Sequence, residues 1–217
     1  MTTTTASYTR PARPIKLYRF HLSGHSHRAE LLLSLLGLAY ELIDVDLRAK
    51  AHKTEAFLKL NCFGQVPVID DNGVIVADAN AILTYLAGKY DDGHWLPRDP
   101  IGVAAVQRWL SVAAGLVAFG PAAARLITVF GAKLDADEVI ARANSLFAVM
   151  EKVLTGSRFL AGGTPTIGDV ACYSYIAHAP EGNVSLEPYP NLRSWLARIE
   201  ALTGFVPMVV TRAGLVA

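Results

Sequence analysis

The sequence predicts a small α/β domain followed by an all-helical one, and three observations carry that prediction. A strand–helix–strand pattern opens the chain. An Asp71-Asn72-Gly73 turn then sits between two short apolar runs, and beyond a break at residues 91–100 no strand pattern returns. The expected boundaries are a disordered tail over 1–13, the α/β domain over 14–90, a linker over 91–100 and helices over 101–217.

Residues 15–20 are rich in β-branched, aromatic and apolar side chains and read as a strand. A polar loop over 21–27 leads to a helix over 28–36, which Gly37 stops. Residues 40–47 alternate in polarity as a second strand, and a unit of this kind implies a parallel, right-handed crossover. Thr54 caps a short helix over 54–60. The Asp71-Asn72-Gly73 turn then joins strands at 66–70 and 74–77 in a hairpin. Pro67 cannot donate to a ladder, so its strand belongs at a sheet edge or carries a special geometry in its first residues. A helix after Asp78 completes the order β-α-β-α-β-β-α.

The run DDGHWLPRDP at 91–100 breaks all periodicity. A long helical pattern over 101–119 ends at Gly120-Pro121, and helices continue over 122–130 and 135–154. Thr166-Ile167-Gly168-Asp169 is a capping-box variant opening a buried helix over 170–179. Leu192, Trp195, Leu196 and Ile199 mark a last amphipathic helix that stops near Gly204.

With 217 residues, 52% hydrophobic and 18% charged, the chain has an ordinary globular composition. A net charge of +1 gives no reason to expect nucleic acid or an anionic membrane as partner. The opening MTTTTASYTRPARP has threonines where a secretory signal needs an apolar core, and no apolar run approaches the length of a membrane span. The expected compartment is the cytoplasm, with Cys62 and Cys172 as reduced thiols, the first packed in a loop and the second in the core. His21, His25 and His27 share a loop without acidic or thiol companions at ligand spacing, so no metal is expected.

Two neighbouring features point to a ligand. An X-Pro turn at Val66-Pro67 offers an unpaired backbone N–H and C=O to an extended peptide. Asp78 and Asn80 stand where a helix begins, and unpaired N–H groups and the helix dipole attract a carboxylate there. Together they suit a small charged peptide.

These motifs, in this order and spacing, resemble the glutathione transferase family over about residues 15–209. The resemblance implies a thioredoxin-like N-terminal domain, glutathione as co-substrate, and a homodimer with the third helix of one subunit facing the helical domain of the other. LSGHSHRAELLLSLLGL looks like the serine-type loop of zeta and phi-like classes, with Ser23 placed to contact the thiol. Ser26 is the second choice and suits a cap better. His25 stands where zeta-like members carry cysteine, near the thiol or the electrophile, and Arg28 suits an internal ion pair. AHKTEAFLKLNCFGQVPV is similar to the phi-like stretch that puts His52 and Lys53 at the glycine carboxylate and Val66, beside Pro67, at the cysteinyl backbone, with Gln65 bonding a neighbouring group.

The family's acidic residue and serine, which bind the γ-glutamyl end, are Asp78 and Ala79 here. Loss of that hydroxyl costs about 1.5–3 kcal/mol unless Asn80 or the helix N–H groups compensate. The resemblance also places a largely apolar second-substrate pocket at Phe20, His21, Leu22, Trp109, Val112, Phe119 and Arg125, with Tyr173 or His178 from a later helix.

The chemistry follows from the residues. A free thiol has a pKa near 8.5, and only the thiolate is a competent nucleophile. A hydroxyl at a helix N-terminus donates to sulfur while the dipole favours its charge, and lowering the pKa by about 2 units takes about 2.7 kcal/mol. The implied activity is conjugation of glutathione to a small electrophile. Glutathione-dependent reduction, peroxide removal or isomerisation, and non-catalytic ligand binding, are the alternatives.

Overall fold

The computed structural model describes residues 10–217. Of the tail expected over 1–13, residues 1–9 lie outside the described residues. The remainder is tied to the first domain: Arg10 donates to the Gly37 carbonyl and Arg13 Nε to Asn72 Oδ1 at 3.4 Å.

The N-terminal domain is thioredoxin-like, with a mixed sheet of four strands. They are β1 (Ile15–Arg19), β2 (Tyr40–Asp44), β3 (Val68–Asp71) and β4 (Val74–Ala77), in the order β2-β1-β3-β4. β1 pairs parallel with β2 and antiparallel with β3, which pairs antiparallel with β4. Of the two readings of Pro67, the sheet edge is not realised and the special geometry at the strand's start is. β3 is an interior strand, and its ladder begins at Val68, leaving the cis Val66–Pro67 bond just outside it.

Helix α1 (Gly24–Leu35) begins four residues earlier than the expected position 28. Ser23 is its N-cap, accepting from Ser26 N at 3.3 Å, and the presumed loop residues His25, Ser26 and His27 lie within the helix. α2 (Glu55–Leu60) is capped by Thr54, as the sequence suggests, and α3 (Ala79–Tyr90) by Asp78.

Asp71 does more than shape a turn. Its buried Oδ2 accepts from Lys89 Nζ at 2.6 Å, Tyr90 at 2.6 Å and Tyr85 at 2.7 Å, which fastens the hairpin to α3. Burial alone would raise this carboxyl's pKa, but the donated hydrogen bonds outweigh it and hold the group at about 2.

In the helical domain the expected break at Gly120-Pro121 does not occur. α4 (Pro100–Val112) runs through a π-helical stretch, Ala113–Ala122, into α5 (Ala123–Phe130). Pro121 supplies no N–H to the ladder, and the wider winding accommodates it without ending the helix. The resulting 31-residue helix is long and apolar enough to cross a membrane, contrary to the reading of its separate pieces. Here Val106, Trp109, Leu110, Ala113 and Val117 are buried in the core.

α6 (Ala136–Thr155), α7 (Ile167–Ala177) and α8 (Pro190–Glu200) follow. Every residue of α7 from Ile167 to Ile176 is buried, and Cys172 lies among them. The Thr166 capping box is present, and Asp169 also accepts from Leu160 N and Trp195 Nε1, both at 2.9 Å. α7 packs on α1 and α4, so the two domains share one apolar core.

Candidate active site

A cleft of about 950 Å³ opens between the domains. From the first domain it is lined by Ser23 and His25, by His52 and Lys53, by the 61–67 loop, and by Asp78 and Ala79. From the second it receives Ala118, Ala122, Arg125, Leu126, Phe130 and Tyr175. Phe20 and Leu22 complete it.

Ser23 stands at the N-terminus of α1. Its oxygen accepts from Ser26 N, so its proton is free to be donated towards the cleft, and capping and donation are compatible. Ser26 is not in the cleft. It is buried, and its Oγ accepts from Phe20 N at 3.2 Å, tying the end of β1 to the helix.

His25 lines the cleft with its ring edge-on to Tyr175. Burial, and next the nearby Arg28 charge, push its pKa down to about 3, so the imidazole is neutral at physiological pH. Arg28 makes no ion pair among the described residues, contrary to expectation. It is fully buried, 3.5 Å from Asn80 Oδ1 and stacked 5.4 Å from the Tyr175 ring centroid, and its Nε and Nη2 have no hydrogen-bond partner.

Lys53 and His52 reach the cleft, but Lys53 Nζ is already engaged. It donates to the Gly64 carbonyl at 2.9 Å and the Phe63 carbonyl at 3.1 Å, fixing the loop that carries Gln65, Val66 and Pro67. Gly64 (φ +56°) is required at this crossing, since a Cβ there would lie 2.7 Å from the His52 carbonyl oxygen. Asn61 Nδ2 holds the same loop by donating to the Gln65 carbonyl at 2.9 Å.

Asp78 adopts φ +77°, and its Oδ1 accepts from Asn80 N at 2.9 Å and Ala81 N at 3.0 Å. Ala79, the first residue of α3, lines the cleft and brings no donor of its own in its side chain. Asn80 is turned away, donating to the Leu110 carbonyl of α4 at 3.0 Å.

The second-substrate residues fare unevenly. Phe20, Leu22 and Arg125 line the cleft, whereas His21, Trp109, Val112, Phe119 and Tyr173 do not. His21 faces a separate shallow pocket, and Trp109 is core. Val112 and Phe119 lie in an apolar groove on another face, with Leu116. Tyr173 points to a cavity on the far side and donates to Glu200 at 2.9 Å. Cys62, read as packed, is exposed and lines the cleft.

Arg125 is buried and joined to Glu181 through Nε at 2.7 Å. Glu181 also accepts from His178 Nδ1 at 2.6 Å and from the Thr211 hydroxyl at 2.6 Å. Burial alone would raise the Glu181 carboxyl's pKa, but hydrogen bonds from Thr211, His178 and Arg125 hold it below its usual range. Sequence reasoning missed Ala118, Ala122, Leu126 and Phe130 on the cleft wall, and also Tyr175, for which periodicity in a helix buried from Ile167 to Ile176 gives no directional signal.

Residues 13–88 match the family model for the glutathione S-transferase N-terminal domain, and 108–203 that for the C-terminal domain. The chain is 31% identical over 205 residues to glutathione S-transferase 3 of Zea mays, covering 88% of this chain and 91% of the relative. It is 30% identical over 201 residues to maleylpyruvate isomerase of a Ralstonia species, covering 88% and 94%. Its fold is similar to that of a glutathione S-transferase from Pseudomonas fluorescens, with TM-score 0.86, 31% identity, and 91% and 100% coverage.

Proposed function

Since the chain belongs to the glutathione S-transferase family, a family of transferases, we propose that it activates the glutathione thiol through Ser23 for attack on a small, largely apolar electrophile. The observation that carries this reading is the Ser23 hydroxyl. It caps α1 on the cleft wall, with its own proton uncommitted. In this reading the cysteinyl backbone of glutathione pairs with Val66 beside Pro67. Gln65 bonds a group neighbouring that backbone, Asp78 holds the γ-glutamyl side, and His52 with the third ammonium proton of Lys53 serves the glycine carboxylate. Phe20, Leu22, Ala118, Ala122, Leu126 and Phe130 supply the apolar wall for the acceptor.

The test is glutathione-dependent turnover of a panel of aryl halides, epoxides, hydroperoxides and disulfides by the wild type and Ser23→Ala. The expected outcome is conjugation by the wild type and a loss of about 100-fold or more in the variant. Equal rates in the two proteins remove Ser23 from this role, and glutathione binding without any turnover supports a ligand-binding module instead.

A second reading, isomerisation with glutathione regenerated, is favoured by the similarity to the Ralstonia maleylpyruvate isomerase. Retention of free glutathione after substrate loss distinguishes it from conjugation.

The proposal includes a cytoplasmic homodimer, with α3 of one subunit against the helical domain of the other. Phe63 on the first domain is 76% exposed, and the apolar groove of Val112, Leu116 and Phe119 lies on the second. These are surfaces that a partner copy would cover. Sedimentation at a single monomer mass rules the dimer out.

A further inference from the structure

We propose that Tyr175 is a second catalytic hydroxyl, donating to the oxygen of an electrophile that takes up negative charge when sulfur attacks, such as an epoxide or a conjugated carbonyl. This rests on the transferase reading above and names the substrate class it serves. Tyr175 comes from α7 of the helical domain and crosses to the start of α1. A Cβ built on Gly24 would lie 2.8 Å from both Cε1 and Cζ of Tyr175, so the hydroxyl-bearing edge of the ring rests on the residue next to Ser23. Only glycine permits that approach.

The ring is held from two sides. The Arg28 guanidinium lies 5.4 Å from its centroid, and His25 meets it edge-on at 5.1 Å. Tyr175 keeps 6% exposure and lines the cleft. Its hydroxyl makes no hydrogen bond among the described residues, and it is not among the polar atoms sealed from solvent. A tyrosine buried this far ordinarily finds a partner for its O–H. Here the open direction is the cleft, where a bound acceptor supplies one.

The helical domain's other side-chain donor in the cleft, Arg125, is spent or shut in. Arg125 gives Nη1 to the Leu22 carbonyl and Nε to Glu181, and its Nη2 is buried from solvent. Around these polar groups the acceptor wall is Phe20, Ala118, Ala122, Leu126 and Phe130. A single phenol in an apolar wall fixes the orientation of one oxygen.

An epoxide opens in one step. The thiolate pair forms the S–C bond, the C–O bond breaks, and its electron pair goes to oxygen. That oxygen takes the Tyr175 proton, and the phenolate recovers a proton from water, matching the one released when the thiol ionised.

The test compares styrene oxide with benzyl chloride, whose leaving group is chloride rather than an oxygen, in the wild type and in Tyr175→Phe. The variant keeps the ring on Gly24 and under Arg28. Styrene oxide turnover is expected to fall by about 100-fold more than benzyl chloride turnover, in kcat rather than in the glutathione KM. The absorbance titration of bound thiolate stays in place. Equal losses on the two substrates overturn the proposal. So does a displaced thiolate titration, which would make Tyr175 a donor to sulfur, and so does a larger styrene oxide loss in His25→Asn. Wild-type turnover of benzyl chloride alone overturns this proposal and leaves the transferase reading standing. Turnover of neither substrate by the wild type removes both.

Discussion

Arg125 Nη1 donates to the carbonyl oxygen of Leu22 at 2.8 Å, so the helical domain grips the residue immediately before Ser23. The grip is itself anchored, because the same guanidinium is fixed by Glu181. The position of Ser23 therefore depends on the Arg125–Glu181 pair, and in the proposed mechanism so does the geometry at the thiol. Arg125→Lys keeps a charge for Glu181 but cannot span both acceptors. Turnover at saturating substrate is expected to fall about 10-fold or more, since small displacements at a reacting centre are costly. An unchanged kcat refutes the positioning role.

Removing the acid has a different signature. Glu181→Gln leaves a buried guanidinium without its counter-charge, and breaking such a pair costs about 3–5 kcal/mol. Equilibrium urea unfolding should show the midpoint falling while the slope stays constant. A midpoint within error of the wild type contradicts the assignment.

Ser23 and Ser26 separate in the pH dependence. In Ser23→Ala the acid limb of kcat/KM moves upward by about 1 pH unit, the hydroxyl's share of the shift, while the terminus of α1 keeps the remainder. Ser26→Ala leaves the limb where it is, because its Oγ faces the Phe20 N–H. Movement of the limb in Ser26→Ala reverses the assignment.

In the proposed binding mode Ala79 leaves the γ-glutamyl end short of one donor. Ala79→Ser adds a hydroxyl at the first residue of α3, on the cleft wall. Calorimetry is expected to show glutathione binding tightened by about 10-fold or more, the equivalent of about 1.5 kcal/mol. Unchanged or weaker binding shows that the site does not need it.

Asp71 predicts the acid limit of the fold. Its folded pKa of about 2 lies below the ordinary 3.8, so its contribution is complete above about pH 4 and is lost as pH falls towards 2. The amount is about 2 kcal/mol. In Asp71→Asn the stability should be lower at neutral pH and flatter across that window, as measured by urea midpoints at successive pH values. An equally steep decline in the variant assigns the acid sensitivity elsewhere.

Local chemistry made much of this legible. The Asp71-Asn72-Gly73 hairpin, the Thr54 cap and the Thr166 box each depend on a few adjacent residues, and the structure forms all of them. The onset of α1 was not legible. Gly24 and Ser26 are poor helix formers, and they become helical because Ser23 caps them and because Tyr175, from far along the chain, packs on Gly24. The acceptor wall failed for a related reason. Periodicity groups residues onto faces without saying which face meets the cleft, and through the π-helical stretch Ala118 and Ala122 meet it while Val112 and Phe119 do not.

The Lys53 clamp on the Phe63 and Gly64 carbonyls has a kinetic consequence. A flexible rim would have to be frozen at each encounter, which slows capture and weakens the complex. In the proposed binding mode this rim, its loop already held by Lys53, meets the tripeptide ready-made. Stopped-flow capture of glutathione should then be a single phase whose rate rises linearly with concentration, without the plateau that a closing loop imposes.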